Sequence, residues 1–151
     1  MNRYLADLHI HTSYSPCGNR DMTPRAIINK AIIKGLHIIA ITDHNSTRQS
    51  YAIKELGEAK GLLVICGAEV CSSEGIHCIS LFPNQKSAAV FQQYIDGYNH
   101  KTPYDSKRYG EQLLFDIDDK IIDRENSFQA NPIRQSVIQI QKKVHSLNGL
   151  F

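Results

Sequence analysis

The stretch DLHIHT places two histidines, His9 and His11, two residues apart near the start of the chain. In a strand successive side chains alternate faces, so both imidazoles point one way while Leu8 and Ile10 point the other. Neutral imidazole is a good ligand for zinc, manganese or iron, and two of them on one strand make half a coordination shell. Other metal-ligating residue types recur downstream: Cys17 in SPCG, Asp43 and His44 in AITDHN, Glu69 in GAEV and His77 in IHCISLF. Each alone has a bland reading as an exposed strand residue, a free thiol, a solvated carboxylate or a packing histidine. Together they fall at or near the ends of four consecutive predicted strands, and that shared placement points to a divalent metal centre.

The elements that must position these residues can be read from pattern. Residues 3–11 predict a strand. Thr23 followed by Pro24 predicts a capped helix start, with Ile28, Ala31 and Ile32 on its apolar stripe and Gly35 as a left-handed stop. HIIAIT, residues 37–42, suits a strand buried on both faces. Residues 47–60 predict a second helix closed by Gly61, 62–66 a third strand, 77–82 a fourth and 87–98 a further helix. This rhythm predicts an α/β fold with a parallel sheet whose strand C-termini converge on one end. Residues 100–130 break it, and LLFDIDDKIIDR reads as two short strands around an Asp-Asp turn. A last helix is expected from Pro132 to about Leu147, with Asn148-Gly149 as its stop and Leu150-Phe151 as the first residues of another buried strand.

At 151 residues the chain is one domain, residues 1–151, with room for a real core. A net charge of +2, from 17 basic and 15 acidic residues, argues for neither a nucleic-acid groove nor an anionic membrane surface. Its apolar runs are strand-sized, far below the ~20 residues of a membrane helix, and MNRYLADLHI has no signal pattern, so a cytoplasmic location is expected. The four cysteines form no C-x-x-C pair, and Cys66 and Cys78 read as buried reduced thiols.

DLHIHTSYSPCG, AITDHN, GAEV and the histidine of IHCISLF, in that order, resemble the PHP (polymerase and histidinol phosphatase) family of metal-dependent phosphoesterases. The resemblance implies a distorted seven-stranded β/α barrel, TIM-like in plan, whose strand C-termini hold two or three divalent ions, zinc, manganese or iron. It implies that His9 and His11 bind one ion, that Glu69 bridges to a second also held by His77, and that His44 belongs to a third. The family's third site usually takes a histidine or aspartate from the loop after H-x-H, where this chain offers Cys17, and a thiolate there would favour zinc over manganese. Asp7 and Asp43 are expected to orient the ligating imidazoles, or else to be plain strand-end polar residues. Family members carry a further histidine and an Asp-x-His beyond the last helix. The chain stops at Phe151 and His145 is no substitute, so the resemblance implies a barrel incomplete at the C-terminus.

The reaction so implied is hydrolysis of a phosphomonoester, or of a nucleotide or oligonucleotide phosphodiester, by a metal-bound water, with no catalytic side chain beyond the ligands. Arg20 is the candidate phosphate contact, and Tyr14 and Tyr109 are candidate pocket residues. Two other readings remain open: an amidohydrolase, which also begins with H-x-H, and a metal-binding domain without catalysis.

Overall fold

The computed structural model describes residues 3–151. Its main sheet has the order β1 (Ala6–Ile10), β2 (Ile38–Ile41), β3 (Leu63–Cys71), β4 (His77–Phe82). The helices α1 (Pro24–Ile33) and α2 (Ser50–Glu58) cross between the first three strands, which run parallel. The local signals act as expected at α1. Thr23 Oγ1 accepts the Ala26 N–H at 3.4 Å, Pro24 opens the helix and Gly35 follows it at φ +68°. On its apolar stripe Ile27, Ile28 and Ala31 are buried, whereas Ile32 is 45% exposed because the face that meets the sheet is centred one residue earlier.

The fourth strand departs from the parallel expectation. β4 runs antiparallel to β3, with Cys71 opposite His77 and Cys66 opposite Phe82. Only residues 72–76 separate the two strands, too few for the helical crossover that a parallel pair requires, so the chain makes a hairpin. Gly75 at φ +76° and the Ser72 hydroxyl, which accepts the Glu74 and Ile76 N–H groups, form its turn. The start of β4 therefore lies beside the end of β3, and a histidine at a strand's start joins residues at the ends of its neighbours.

Along β3, Val64, Cys66, Ala68 and Val70 pack into the helical cores, while Gly67 and Glu69 alternate onto the opposite face. One apolar cluster joins Ile39, Ile41 and Val64 to α1 and α2 through Ile28 and Ile53. The other joins β3 and Phe82 to α3 (Gln85–Tyr98) through Phe91 and Ile95. A short helix α4 (Ser106–Tyr109) follows α3, and β5 (Gln112–Phe115) and β6 (Ile121–Glu125) then form a separate antiparallel pair, as LLFDIDDKIIDR predicts. Its turn docks on α1, where the Asp119 carboxylate accepts the Thr23 hydroxyl and the Arg25 N–H.

The last helix, α5, spans Val137–Ser146 and starts five residues later than the apolar spacing suggests. Ser136 and Gln139 form a capping box that sets the start. Ile133 is still buried, because the preceding segment is extended and its N–H bonds the Cys71 carbonyl at 2.9 Å. Beyond α5, Leu150 pairs antiparallel with Leu81 on the outer edge of β4 through two 2.9 Å backbone bonds. Cys66, Cys71 and Cys78 are all buried and free. Among the described residues no helix is long and apolar enough to cross a membrane.

Phe91 is fully buried, 4.7 Å from the Phe82 ring and 5.7 Å from that of Tyr94. Phe91→Ala should cost about 3–5 kcal/mol of stability. A urea titration should show a lower midpoint with unchanged slope, and an unaltered midpoint would contradict this packing.

Candidate metal centre

The ends of four strands deliver the cluster. His9 lies within β1 and His11 just past its end, His44 follows β2, Glu69 lies near the end of β3 and His77 begins β4. Backbone bonds between the His44 and Glu69 segments, Asn45 N to Glu69 O at 2.9 Å and Glu69 N to Asp43 O at 3.1 Å, continue the parallel ladder past β2. That extension carries His44 level with Glu69.

Four imidazoles then meet one carboxylate. His11 Nε2 is 2.9 Å, His9 Nε2 3.3 Å and His44 Nδ1 3.4 Å from Glu69 Oε2, and His77 Nδ1 is 3.0 Å from Oε1. His9 Nε2 and His11 Nε2 are 3.0 Å apart. Ligands about 2.1 Å from a common ion stand about 3.0–3.4 Å from one another, so these separations match a shared cation as well as hydrogen bonds to the carboxylate. His44 Nδ1 is buried and misaligned for a hydrogen bond to Glu69, and it has no hydrogen-bond partner among the described residues. Three groups have ligand atoms all within 4.8 Å of one another: His9, His11 and Glu69; His44, Glu69 and His77; and His11, Cys17 and His44. The donor set of imidazoles, carboxylate and thiol suits zinc, iron or manganese.

Electrostatics tells the same story. Burial, reinforced by repulsion from His11, pulls the His44 pKa down to about 4 against the opposing pull of Glu69. Burial raises the Glu69 carboxyl, but His44 and the hydrogen bonds from His9 and His77 outweigh it, and the net shift is downward. An ionised Glu69 beside a neutral His44 ring is a protonation state that suits a cation. Burial raises the Cys17 thiol.

Asp43 is wholly buried and acts through an intermediary. Burial pushes its pKa up, while hydrogen bonds from the Ser15 hydroxyl, the Thr12 N–H and the Thr12 hydroxyl, each 2.7 Å long, oppose the rise. Ser15 Oγ in turn lies 3.1 Å from His11 Nδ1 and accepts the His44 N–H at 3.0 Å. Asp43 thus reaches both imidazole-bearing segments through Ser15. Asp7 is placed elsewhere. Its Oδ1 accepts the His9 backbone N–H at 3.3 Å, and the residue lines an open groove of about 560 Å³ between β1 and α1.

Arg20 is 67% exposed and 3.6 Å from Glu111, which Arg124 also contacts. Tyr14 is buried in the core, where burial raises its pKa, and Tyr109 is exposed, 6.0 Å from the Tyr104 ring. Sequence reasoning missed Thr12, Ser15 and Asn45. Asn45 sits at φ 46° and ties the loop after β2 to the Gln129 and Asn131 carbonyls and to the Cys71 N–H. Hydroxyl and amide residues are common in loops, so only their nearness to DLHIHT and TDH hinted at a role.

The sequence pattern of the PHP domain family matches residues 7–136, the span that carries all of these groups. The chain belongs to the PHP domain family. Among curated proteins, this PHP chain is 40% identical over 88 residues to an uncharacterized protein of Methanocaldococcus jannaschii, covering 53% of this chain and 51% of that one. It is 33% identical over 66 residues to the phosphoribosyl 1,2-cyclic phosphate 1,2-diphosphodiesterase of Eggerthella lenta, covering 44% and 24%. The alignments thus span about half of the first relative's length and about a quarter of the second's. A candidate metal-dependent phosphoesterase from Bifidobacterium adolescentis superposes with a TM-score of 0.50 at 25% identity, over 64% of this chain and 34% of that one. The lesion-specific endonuclease EndoQ of Pyrococcus furiosus superposes with 0.62 over 97% of this chain and 33% of its own, at 19% identity, a likeness of fold.

Two outcomes follow. In metal-free protein, His44 stays neutral down to about pH 4 while the unfolded chain protonates near 6.5. Stability is then full above 6.5 and falls by at most about 3 kcal/mol as the pH drops toward 4. His44→Gln should flatten that slope in denaturation series at pH 7, 6, 5 and 4; equal slopes would remove the assignment. Ser15→Ala, which unties His11 and His44 from Asp43, should weaken metal binding by about 10–100-fold in chelator competition.

Proposed function

We propose that this PHP chain hydrolyses a phosphate ester, a phosphomonoester or a nucleotide or oligonucleotide phosphodiester, with divalent ions held by His9, His11 and Glu69 and by His44, Glu69 and His77. The observation that carries this reading is the convergence of four imidazoles on the two oxygens of Glu69. Bound there, divalent ions supply acidified water and neutralise phosphoryl charge. Membership of the PHP family and the phosphoesterase likeness from Bifidobacterium adolescentis support phosphoester over amide chemistry. On this reading the four-stranded sheet is part of a seven-stranded β/α barrel, its Leu150 pairing marks where the next strand joins, and the protein works in the cytoplasm.

The chain's own side chains divide the work. His11, His44 and Glu69, with side chains 18%, 11% and 11% exposed, form the floor of the cluster, while His9 at 51% and His77 at 42% stand on its open side. A phosphate group enters from that side. Glu69 places Oε2 near His9, His11 and His44 and Oε1 near His77, so its carboxylate would be shared by both ligand groups. Arg20 is the proposed phosphate contact. Its exposed pair with Glu111 is long, worth about 0–1 kcal/mol, and a charge-assisted bond to phosphate, about 1.5–3 kcal/mol, exceeds it.

Metal-loaded protein should cleave nitrophenyl phosphate or bis(nitrophenyl) phosphate and leave amide and lactone substrates intact. Glu69→Gln should lose bound metal by elemental analysis and reduce the rate by at least about 100-fold. Turnover of amides or lactones alone would transfer the assignment to amidohydrolase chemistry. Bound metal with no turnover of any ester would transfer the assignment to a non-catalytic metal-binding domain.

A further inference from the structure

The segment around α4 is aromatic and basic, and the core does not account for it. Lys101, Lys107 and Arg108 stand against a single acid, Asp105, whose carboxylate accepts the Lys107 backbone N–H at 3.1 Å. The near-neutral balance of the whole chain conceals this local excess of positive charge. Among the described residues the lysine and arginine ion pairs fall on Arg20, Arg25, Arg48, Lys54 and Arg124, and on none of these three. α4 buries none of its residues, yet it ends on Tyr109, which is 58% exposed.

Three rings and a guanidinium stand in a row there. Phe128 stacks on Tyr104 at 5.8 Å with 16° between the planes, Tyr104 lies 6.0 Å from Tyr109 at 32°, and the Arg108 guanidinium lies over the Tyr109 ring, 5.2 Å from its centroid. Backbone bonds fix the register of the rings: the Phe128 N–H donates to the Thr102 carbonyl at 2.9 Å and the Tyr104 N–H to the Asn126 carbonyl at 3.1 Å. The Tyr104 hydroxyl donates to the Tyr109 carbonyl at 3.0 Å. Flat faces aligned in advance beside unpaired cations suit single-stranded nucleic acid, whose bases stack on rings and guanidinium planes while its phosphates meet lysine and arginine.

Both ends of the row adjoin the metal-bearing loops. Phe128 precedes Gln129, whose carbonyl accepts an amide N–H of Asn45, the residue after His44, at 2.5 Å. Tyr109 is followed closely by Glu111, 3.6 Å from Arg20, and by Leu113, whose N–H donates to the Ser13 carbonyl at 2.8 Å just past His11.

We propose that this row is the substrate platform of the metal centre, with Tyr109 stacking a base and Lys107 and Arg108 taking backbone phosphates, and that the substrate is a single-stranded oligonucleotide. The inference rests on the phosphoesterase reading above and narrows its substrate class. A sugar phosphate has no base to stack and no second phosphate to reach these cations, so it would leave the row unused.

Fluorescence anisotropy of the chelator-treated full chain with a labelled oligothymidylate or oligouridylate of about eight nucleotides tests this without turnover. Tyr109→Ala should weaken binding at least about fivefold and Tyr109→Phe should keep it, because the ring face and not the hydroxyl does the stacking. Lys107→Gln and Arg108→Gln should each lower the slope of log affinity against log salt by about 0.7, the loss of one phosphate contact. Polyglutamate of equal charge should bind at least about tenfold more weakly, having charge without bases. No oligonucleotide binding, equal affinity in Tyr109→Ala, or polyglutamate bound as tightly overturns the platform, and hydrolysis of nitrophenyl phosphate then stands by itself. Oligonucleotide binding that meets every test, in metal-loaded protein that cleaves no ester, overturns the phosphoesterase reading instead.

Discussion

The site turns on one carboxylate. Glu69 lies within 3.4 Å of nitrogens from four imidazoles that come from three other chain segments, and its own side chain is only 11% exposed. Four imidazole nitrogens so close to one carboxylate suit a shared cation. The burial that pulls the His44 pKa down to about 4 makes protonation of that ring costly at neutral pH.

Strand directions make that convergence possible. Parallel β1, β2 and β3 present their C-terminal ends on one side, and the tight hairpin after β3 brings the first residue of β4 to the same side. Glu69 faces away from the helical core only because Val64, Cys66, Ala68 and Val70 face into it, so the apolar packing of β3 and the aim of its carboxylate are one choice. Gly67, where a Cβ would meet Leu81 and Ser80 at 2.8 Å, lets β4 lie close on that face.

Beneath the imidazoles lies a buried polar hub of Asp43, Thr12 and Ser15, each of whose side-chain oxygens has a partner. Such a network costs little when every member is satisfied and holds loops rigidly. It ties the loop after β1 to the loop after β2, and with them His11, Cys17 and His44. The excursion through β5 and β6 closes over the same region: Leu113 bonds Ser13, and Gln49 bonds the Phe115 N–H and carbonyl.

Local chemistry in the sequence determined a good deal. H-x-H with alternating neighbours sets two imidazoles on one face, the Thr23-Pro24 and Gly35 signals bound α1, and the Asp-Asp turn makes the β5–β6 hairpin, because each depends on residues within a few positions of one another. DLHIHT, TDH, GAEV and the later histidine, taken in order, also carried the family. Only the tertiary structure decided that β4 runs antiparallel, that α5 waits for its capping box, that Asp43 works through Ser15 while Asp7 does not touch the imidazoles, and that Cys17 faces His11. These depend on which distant segments share space, and a turn of five residues or a hydroxyl in a loop reveals its partner only once the chain has folded around it.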